Sequence, residues 1–438
     1  MSSYQTRKTQ ADTKWFVHDR FGMFIHWGIY ALPARHEWVK SRECISEESY
    51  QRYFDNFDPD LYDPKEWAAQ AKAAGMKYAV LTTKHHDGFC LWDSKHTEYK
   101  ATNTPAKRDL VKEYVDAFRE AGLKVGFYYS LIDWHHPDFT IDRLHPRRND
   151  PDAEKLNEGR DMKRYAQYMR DQVMELLTDY GKIDILWFDY SYTGSPGDKW
   201  PDGKGQEAWE SEKLLAIARG LQPDIIIDNR TEIEQDIWTP EQFQPIEWLK
   251  HNETGEFVVW EACQTFSGSW GYYRDEMTWK SPEMLIRMLI TTVAIGGNLL
   301  MNVGPTARGF LDKRAQDALT VYAEWMKYNS RSIYGCTMAE PDILPSLPQD
   351  CRFTQSVDGK RLYLHLFAWP FKHVQLNGLA GRVEYAQLLH DGSEIQFTEG
   401  ELKHFGVGLP KGEKLLVLEL PVVKPDVTVP VIEIFLKH

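Results

Sequence analysis

The chain has 438 residues and a formal net charge of −13, and 42% of its residues are hydrophobic. This length allows a large core and indicates one large domain with a smaller one. The acidic balance excludes nucleic acid and anionic membranes as expected partners, because basic side chains supply most of that affinity. The five cysteines show no paired or zinc-binding spacing, and no apolar run resembles a signal peptide or a membrane span. We therefore expect a cytoplasmic protein.

Strand-like and helix-like segments alternate from about residue 15 to residue 330, which is typical of parallel α/β folds. Apolar runs predict strands at residues 21–27, 76–83, 124–130, 183–190, 224–228, 257–261 and 298–303. Amphipathic runs, several of them followed by glycine, predict helices at residues 64–74, 109–121, 161–180, 207–220, 281–294 and 312–328. Seven strands are one fewer than a (β/α)8 barrel has, so the remaining strand has to lie in a loop. The doubly wound alternative requires a glycine-rich phosphate turn after the first strand, and HWGIYALP is not one.

The pattern changes after Gly335. A proline-spaced stretch, PDILPSLP, is followed by segments that alternate with period 2 at residues 361–367, 374–376, 382–389, 415–420 and 431–435. Turn signals such as Asp358-Gly359 separate them. We predict a barrel domain over residues 1–340 and an antiparallel β-sandwich over residues 341–438.

Nearly every predicted strand of the barrel ends in a side chain that can titrate or donate a hydrogen bond. These side chains are His26, His85, His86, Tyr128, Tyr129, Trp187, Asp189, Arg230 and Glu261. The carboxyl ends of barrel strands meet on one face, so we expect a shared pocket there. Asp189 ends the apolar run IDILWFD and is the first candidate for chemistry. The alternative for Asp189 is a capping role in the following turn.

Three kinds of chemistry could use such a pocket. A metal-dependent amidohydrolase would have His-x-His on its first strand, and His26-Trp27-Gly28 breaks that spacing. Serine catalysis lacks a G-x-S-x-G elbow, since SGSWG lies in a predicted loop. Glycoside hydrolysis needs two carboxylates, hydroxyl-binding side chains and aromatic rings, and this set of residues fits.

Five motifs in order resemble the α-L-fucosidases of glycoside hydrolase family 29. They are RFGMFIHWGIYALP with HEWV, KYAVLTTKHHDGFCLWDS, LWFDYSY, VVWEACQTFSGSWGYYRDE and NLLMNVGPTARGFLD. The resemblance runs from about residue 15 to residue 335. It implies a retaining exo-glycosidase with an irregular (β/α) barrel and a C-terminal β domain. The irregular barrel would also explain why only seven strands are predicted.

The same resemblance implies roles for single residues. Asp189, the acid of the LWFD motif, would be the nucleophile. The residues that would hold the fucose are His26, Glu37, Trp38, His85, His86, Tyr128, Trp187 and Arg230. An arginine beside the nucleophile would keep its carboxylate ionised.

The general acid/base lies in a loop that varies within the family. The segment DIWTPE follows Arg230 and resembles the place of that residue, so we select Glu241. The alternatives are Glu232, Glu234, Glu247 and Glu261.

We therefore predict an exo-α-L-fucosidase that acts on fucosylated glycans or glycosides without a metal or an organic cofactor, and we expect a homo-oligomer. Two alternatives stay open at this point. The enzyme could act on a related sugar such as a galactoside, or the chain could be an inactive sugar-binding protein on the same scaffold.

Overall fold

The computed structural model describes residues 4–400 and 415–437. Its larger sheet has seven strands, all parallel to their neighbours, in the order β5-β4-β3-β2-β1-β7-β6. The strands are β1 (Phe21–Ile25), β2 (Tyr78–Lys84), β3 (Lys124–Ser130), β4 (Ile185–Asp189), β5 (Ile226–Ile227), β6 (Glu261–Thr265) and β7 (Asn298–Val303). The sheet is curled and is not closed between β5 and β6. The predicted TIM-like barrel is confirmed at this level.

All six predicted helices are present, but the one predicted at residues 207–220 is divided in two at Glu210. The helices at residues 14–19, 39–42, 47–55 and 153–157 were not predicted. Together, the described residues form eleven α-helices. They are α1 (Lys14–Asp19), α2 (Val39–Arg42), α3 (Glu47–Asp55), α4 (Pro64–Ala73), α5 (Leu110–Glu120), α6 (Ala153–Asn157), α7 (Met162–Thr178), α8 (Gln206–Trp209), α9 (Ser211–Leu221), α10 (Pro282–Ala294) and α11 (Lys313–Asn329). The side chains of five capping residues accept hydrogen bonds from backbone N–H groups in the first turn of α4, α5, α7, α10 and α11, namely Asp63, Asp109, Asp161, Ser281 and Asp312. These caps define where each helix begins. Within the described ranges, none of the helices combines the length and apolar character needed to cross a bilayer.

The sixth strand differs from its prediction. Residues 258–261 of the apolar run are buried and Phe257 is half-buried, but the ladder with β7 begins only at Glu261, which pairs with Asn298. The preceding residues bond elsewhere: Phe257 accepts a hydrogen bond from the backbone of Arg7, and Val259 accepts one from Trp238. Burial determines which residues of the run are apolar, whereas the backbone hydrogen-bond partners determine where the strand begins. Glu261 therefore lies at the amino end of its strand and not at the carboxyl end.

An extended segment, residues 236–242, lies in the opening between β5 and β6. It makes isolated parallel bridges to both sides, from Ile237 to Asp228 and from Glu241 to Cys263. Asp236 fixes its start, because one carboxylate oxygen accepts the N–H groups of Gln10 and Ala11 at 2.9 Å each. The other oxygen accepts the Ile227 N–H at 3.0 Å and a guanidinium proton of Arg219. The segment that carries Glu241 is thus fixed at its first residue, Asp236, by buried hydrogen bonds.

The C-terminal part contains two antiparallel sheets. The strands are β8 (Cys336–Thr337), β9 (Cys351–Ser356), β10 (Arg361–Leu366), β11 (His373–Asn377), β12 (Val383–Leu388), β13 (Phe397–Gly400), β14 (Leu415–Glu419) and β15 (Val431–Leu436). One sheet has the order β12-β15-β10-β9-β8 and the other β11-β14-β13. Leu364 and Ile434 of the first sheet and Leu376 and Leu418 of the second belong to the same apolar cluster. The predicted β domain is confirmed as a β-sheet region.

Candidate active site

A cavity of about 310 Å³ lies at the carboxyl ends of β1 to β4. Its lining combines histidine, carboxylate and aromatic side chains, namely Phe24, His26, Trp38, His85, His86, Tyr128, Trp187, Asp189, Tyr190, Glu241, Cys263 and Trp270. Six of the nine predicted strand-end residues line this pocket. Tyr129 instead donates a hydrogen bond to Gln172, Glu261 lies at the other end of its strand, and Arg230 contacts lining residues without being part of the lining. Eight of the ten predicted site residues line the cavity.

Asp189 is the last residue of β4 and is 8% exposed. Tyr128 on the neighbouring strand donates a hydrogen bond from its hydroxyl to Asp189 Oδ2 at 2.7 Å. Arg230 Nη1 donates to Asp189 Oδ1 at 2.9 Å. Burial raises the pKa of Asp189 to about 6, although the Arg230 charge opposes that rise. The contacts made by Asp189 are those of a positioned carboxylate and not of a turn cap.

Arg230 joins Asp189 to Glu241. The same Nη1 atom that contacts Asp189 donates to Glu241 Oε2 at 2.7 Å. Asp189 Oδ1 and Glu241 Oε2 are therefore at most about 5.6 Å apart. This limit admits the ~5–5.5 Å spacing between the carboxyl groups of retaining glycosidases. Arg230 is itself fixed, because it donates to Thr239 Oγ1 at 3.0 Å and packs over the Trp187 ring at 4.5 Å.

His26 and His86 are neutral hydrogen-bond acceptors toward the cavity. Burial lowers the pKa of His26 to about 3 and holds the pKa of His86 well below its usual value. Asn302 donates its amide protons to Trp270 O, so its Oδ1 accepts from His26 Nδ1 at 2.6 Å. Ser130 donates to Ile132 O, so its Oγ likewise accepts from His86 Nδ1 at 2.6 Å. Each ring therefore keeps a free lone pair on Nε2.

His85 and Tyr128 form the wall between these two histidines. Their rings stack with centroids 5.6 Å apart, and Tyr128 also stacks on Trp187. The Nδ1 atom of His85 is buried and has no hydrogen-bond partner among the residues that the structure describes. Buried polar atoms without a partner are rare in folded proteins. An acceptor or donor on a ligand would complete this part of the site.

Glu37 and Arg230 are the two predicted residues that are not part of the lining. Arg230 donates hydrogen bonds to both acids, as described above, although it does not line the cavity itself. Glu37 is buried, and its Oε2 accepts the N–H of Gly271 at 2.8 Å. It thus holds the loop of Trp270, while its neighbour Trp38 lies in the lining and packs on His86 with ring centroids 4.8 Å apart.

Sequence reasoning missed Phe24, Tyr190, Cys263 and Trp270 as lining residues. Phe24 is two positions before His26 on β1, so strand alternation places it on the same face. Trp270 lies in the SGSWG stretch that sequence reasoning treated only as a failed serine motif. Cys263 could not be found, because its placement depends on where β6 begins.

Among the described residues, none of the four alternative acids is paired with Asp189 or Arg230. Glu261 is buried at the amino end of β6, where it accepts a hydrogen bond from the Tyr78 hydroxyl. Glu234 pairs with Arg7 and with His251. Glu232 accepts the Gln206 N–H at 3.0 Å, and Glu247 is exposed. Glu241 is the acid that shares Arg230 with Asp189.

Metal ligation does not explain the clustered histidines. Among residues 4–400 and 415–437, no group of three or more His, Cys, Asp or Glu side chains is arranged to hold a metal ion. The free Nε2 atoms of His26 and His86 and the shared arginine instead suit a neutral ligand with several hydroxyl groups.

Comparison with known proteins decides the family. The sequence profile described as "Alpha-L-fucosidase" matches residues 2–331. The chain belongs to the α-L-fucosidase family. This result confirms the resemblance to glycoside hydrolase family 29 and the predicted enzyme class.

Individual relatives agree with the assignment to the α-L-fucosidase family. The plasma alpha-L-fucosidase of Rattus norvegicus is 29% identical over 91% of this chain and 87% of its own length. The alpha-L-fucosidase isoenzyme 1 of Paenibacillus thiaminolyticus has a similar structure, with a TM-score of 0.87 and 45% identity over 97% of this chain and 99% of that one. An alpha-L-fucosidase GH29 of Bacteroides thetaiotaomicron, trapped as a covalent intermediate with 2-fluoro-fucosyl fluoride, has a TM-score of 0.79 and 26% identity over 100% of this chain and 98% of that one.

Proposed function

We propose that the chain hydrolyses terminal α-L-fucosyl linkages with retention, with Asp189 as nucleophile and Glu241 as general acid/base. The observation that supports this proposal is the shared Arg230 Nη1, because it limits the distance between one oxygen of each carboxylate to about 5.6 Å, which admits the ~5–5.5 Å spacing of retaining enzymes. Asp189 attacks the anomeric carbon while Glu241 protonates the leaving oxygen. A covalent fucosyl-enzyme forms, and Glu241 then takes a proton from the water that releases fucose.

The two acids differ in environment, and this difference supports their different roles. Asp189 is enclosed, and its two oxygens are fixed by separate hydrogen bonds, Oδ2 by Tyr128 and Oδ1 by Arg230. The Glu241 side chain is 40% exposed, so it can exchange protons with water between the two steps. A nucleophile needs a fixed position, whereas an acid/base needs access to a proton source.

The histidines supply the expected recognition of hydroxyl groups. The free Nε2 lone pairs of His26 and His86 accept hydroxyl protons, and His85 Nδ1 supplies a further polar contact. His86 Nε2 lies 3.7 Å from Asp189 Oδ2, and both atoms are acceptors. A sugar hydroxyl beside these two atoms would donate its hydrogen bond to one of them. We therefore place a ring hydroxyl there. Trp187 provides an apolar surface beside the sugar. For Glu37, a direct contact with fucose stays a prediction.

Substrate preference between fucosides and galactosides tests the proposal. Phe24, Cys263 and Trp270 give the cavity an apolar portion, which suits the methyl group of fucose better than the hydroxymethyl group of galactose. A polar group buried there without a partner would cost ~1–3 kcal/mol, or about 5- to 150-fold in kcat/KM. We expect hydrolysis of aryl α-L-fucoside to exceed hydrolysis of the aryl galactosides by at least that ratio. A preference for a galactoside would contradict the proposal, and fucose binding without turnover would indicate an inactive sugar-binding protein.

The pH profile should show an acid limb near pH 6. Attack requires an ionised Asp189, and burial raises its pKa to about 6, so kcat/KM on an activated aryl fucoside should fall as the pH drops below that value. Arg230 lowers this pKa and Glu241 raises it. Arg230→Gln should therefore move the limb to higher pH, and Glu241→Gln should move it to lower pH. Shifts of the same sign in both variants would contradict this assignment of the limb to Asp189.

Several finer features are part of the proposal. We assign residues 236–242 the place of the eighth barrel strand, and we regard the two C-terminal sheets as a β-sandwich whose first strand, β8, comes before the predicted domain boundary at residue 340. A homo-oligomer and a cytoplasmic location stay predictions, and relatives named plasma enzymes do not favour the latter. The expected substrate is a fucosylated glycan or glycoside.

A further inference from the structure

The cavity has a buried floor and a half-open mouth. Its floor consists of buried residues, including His26, His85 and Asp189. Only four of its lining residues are partly or fully exposed, and these are Trp38, Tyr190, Glu241 and Trp270. For an enzyme that removes a terminal sugar, the floor holds that sugar and the mouth faces whatever is attached to it. Three aromatic residues therefore line this mouth together with the acid Glu241.

Tyr190 is held rigidly in this mouth. It follows Asp189 directly and has φ 82, a conformation that a residue with a bulky side chain rarely adopts. Its ring packs on Trp38 at 5.1 Å and on the edge of His86 at 5.3 Å between centroids.

The residues after Tyr190 secure the chain on its other side. The Ser191 hydroxyl donates to Arg230 O at 2.6 Å. Tyr192 exchanges two backbone hydrogen bonds of 2.9 Å with Lys204, and Asp142 contacts the side chains of both residues. Strain of this kind persists only where the surroundings enforce it. The backbone is thus constrained in a way that sets where the Tyr190 ring points.

We propose that Tyr190, backed by Trp38, is a stacking surface for the ring of the leaving group, either the next sugar of a glycan or an aryl group. This inference rests on the proposed function. Aromatic rings bind the apolar face of a sugar or an aryl ring, and a rigid ring loses little entropy when it does so. Tyr190 would thereby determine which fucosides the enzyme prefers without contacting the fucose itself.

The test compares three substrates that share fucose and differ in the leaving group. They are an aryl α-L-fucoside, an α-L-fucosyl-galactose disaccharide and α-L-fucosyl fluoride, which has no leaving-group ring. Tyr190→Ala should lower kcat/KM by about 3- to 10-fold on the two ring-bearing substrates, and by clearly less on the fluoride. Tyr190→Phe keeps the ring and should behave as the wild type does on all three.

Tyr190→Gly separates the ring from the backbone. Glycine adopts a positive φ without strain, so this variant lacks the ring but keeps the backbone conformation. It should show the same substrate-dependent loss as Tyr190→Ala. Equal losses on all three substrates, no loss on the ring-bearing pair, or full recovery in Tyr190→Gly would overturn the proposal. Failure of the wild-type enzyme to hydrolyse fucosyl fluoride would instead contradict the proposed function.

Discussion

Asp189→Ala is expected to lower kcat on an aryl α-L-fucoside by about 10⁴-fold or more, which corresponds to about 5.4 kcal/mol of transition-state stabilisation. The reason is that no other carboxylate in the site receives hydrogen bonds from both Tyr128 and Arg230. Steady-state rates with a good leaving group provide the measurement. The loss should be similar for all leaving groups, because the missing bond forms in the first step.

Two control measurements accompany this variant, the temperature of unfolding and the affinity for fucose. Asp189→Asn keeps the shape of the side chain and removes its charge, so it should be as inactive as Asp189→Ala. Both variants should unfold at a temperature near that of the wild type and should still bind fucose through the histidines. Activity within tenfold of the wild type in either variant would exclude Asp189 as the nucleophile.

Glu241→Ala is expected to separate substrates by their leaving group. On a fucosyl disaccharide, whose leaving oxygen needs protonation, kcat/KM should fall by about 10²- to 10⁴-fold. On an aryl fucoside with an acidic phenol, kcat/KM should change by less than about tenfold, because that oxygen leaves without a proton. The measurement is kcat/KM across a series of aryl fucosides, whose dependence on phenol pKa should become steep in the variant.

Glu247→Ala is the matched control. It removes an exposed acid six residues further along the chain. This variant should retain wild-type kcat/KM on every substrate. Equal losses across the substrate series in Glu241→Ala would show that Glu241 does not protonate the leaving group. A leaving-group-dependent loss in Glu247→Ala would transfer that role to Glu247.

Regular periodicity made most of the fold predictable. Apolar runs and capping residues such as Asp109 and Asp312 define β1 to β4, β7 and the main helices, because these elements depend on local sequence and burial. The site residues at the ends of β1, β2, β3 and β4 could be predicted for the same reason. In a parallel sheet, the position of a strand end follows from the strand itself.

Long-range partners made the remainder unpredictable. The start of β6 depends on which residues bond to Phe257 and Val259, and these bonds come from the N-terminal segment and from Trp238. The lining role of Cys263 and the burial of Glu261 both follow from that register. Glu241 was selected by resemblance, and only its contact with Arg230 links it physically to Asp189. The conformation of Tyr190 has no signal in its own sequence.

The central claim, that Asp189 is the nucleophile and Glu241 the acid/base, is tested most directly by azide rescue. Azide added to Asp189→Ala with an aryl α-L-fucoside should take the place of the carboxylate and give β-L-fucosyl azide. Azide added to Glu241→Ala should instead intercept the fucosyl-enzyme and give α-L-fucosyl azide. The configuration of each product, read by proton NMR, assigns the two roles. The reverse pair of configurations, or α-azide from both variants, would contradict the assignment.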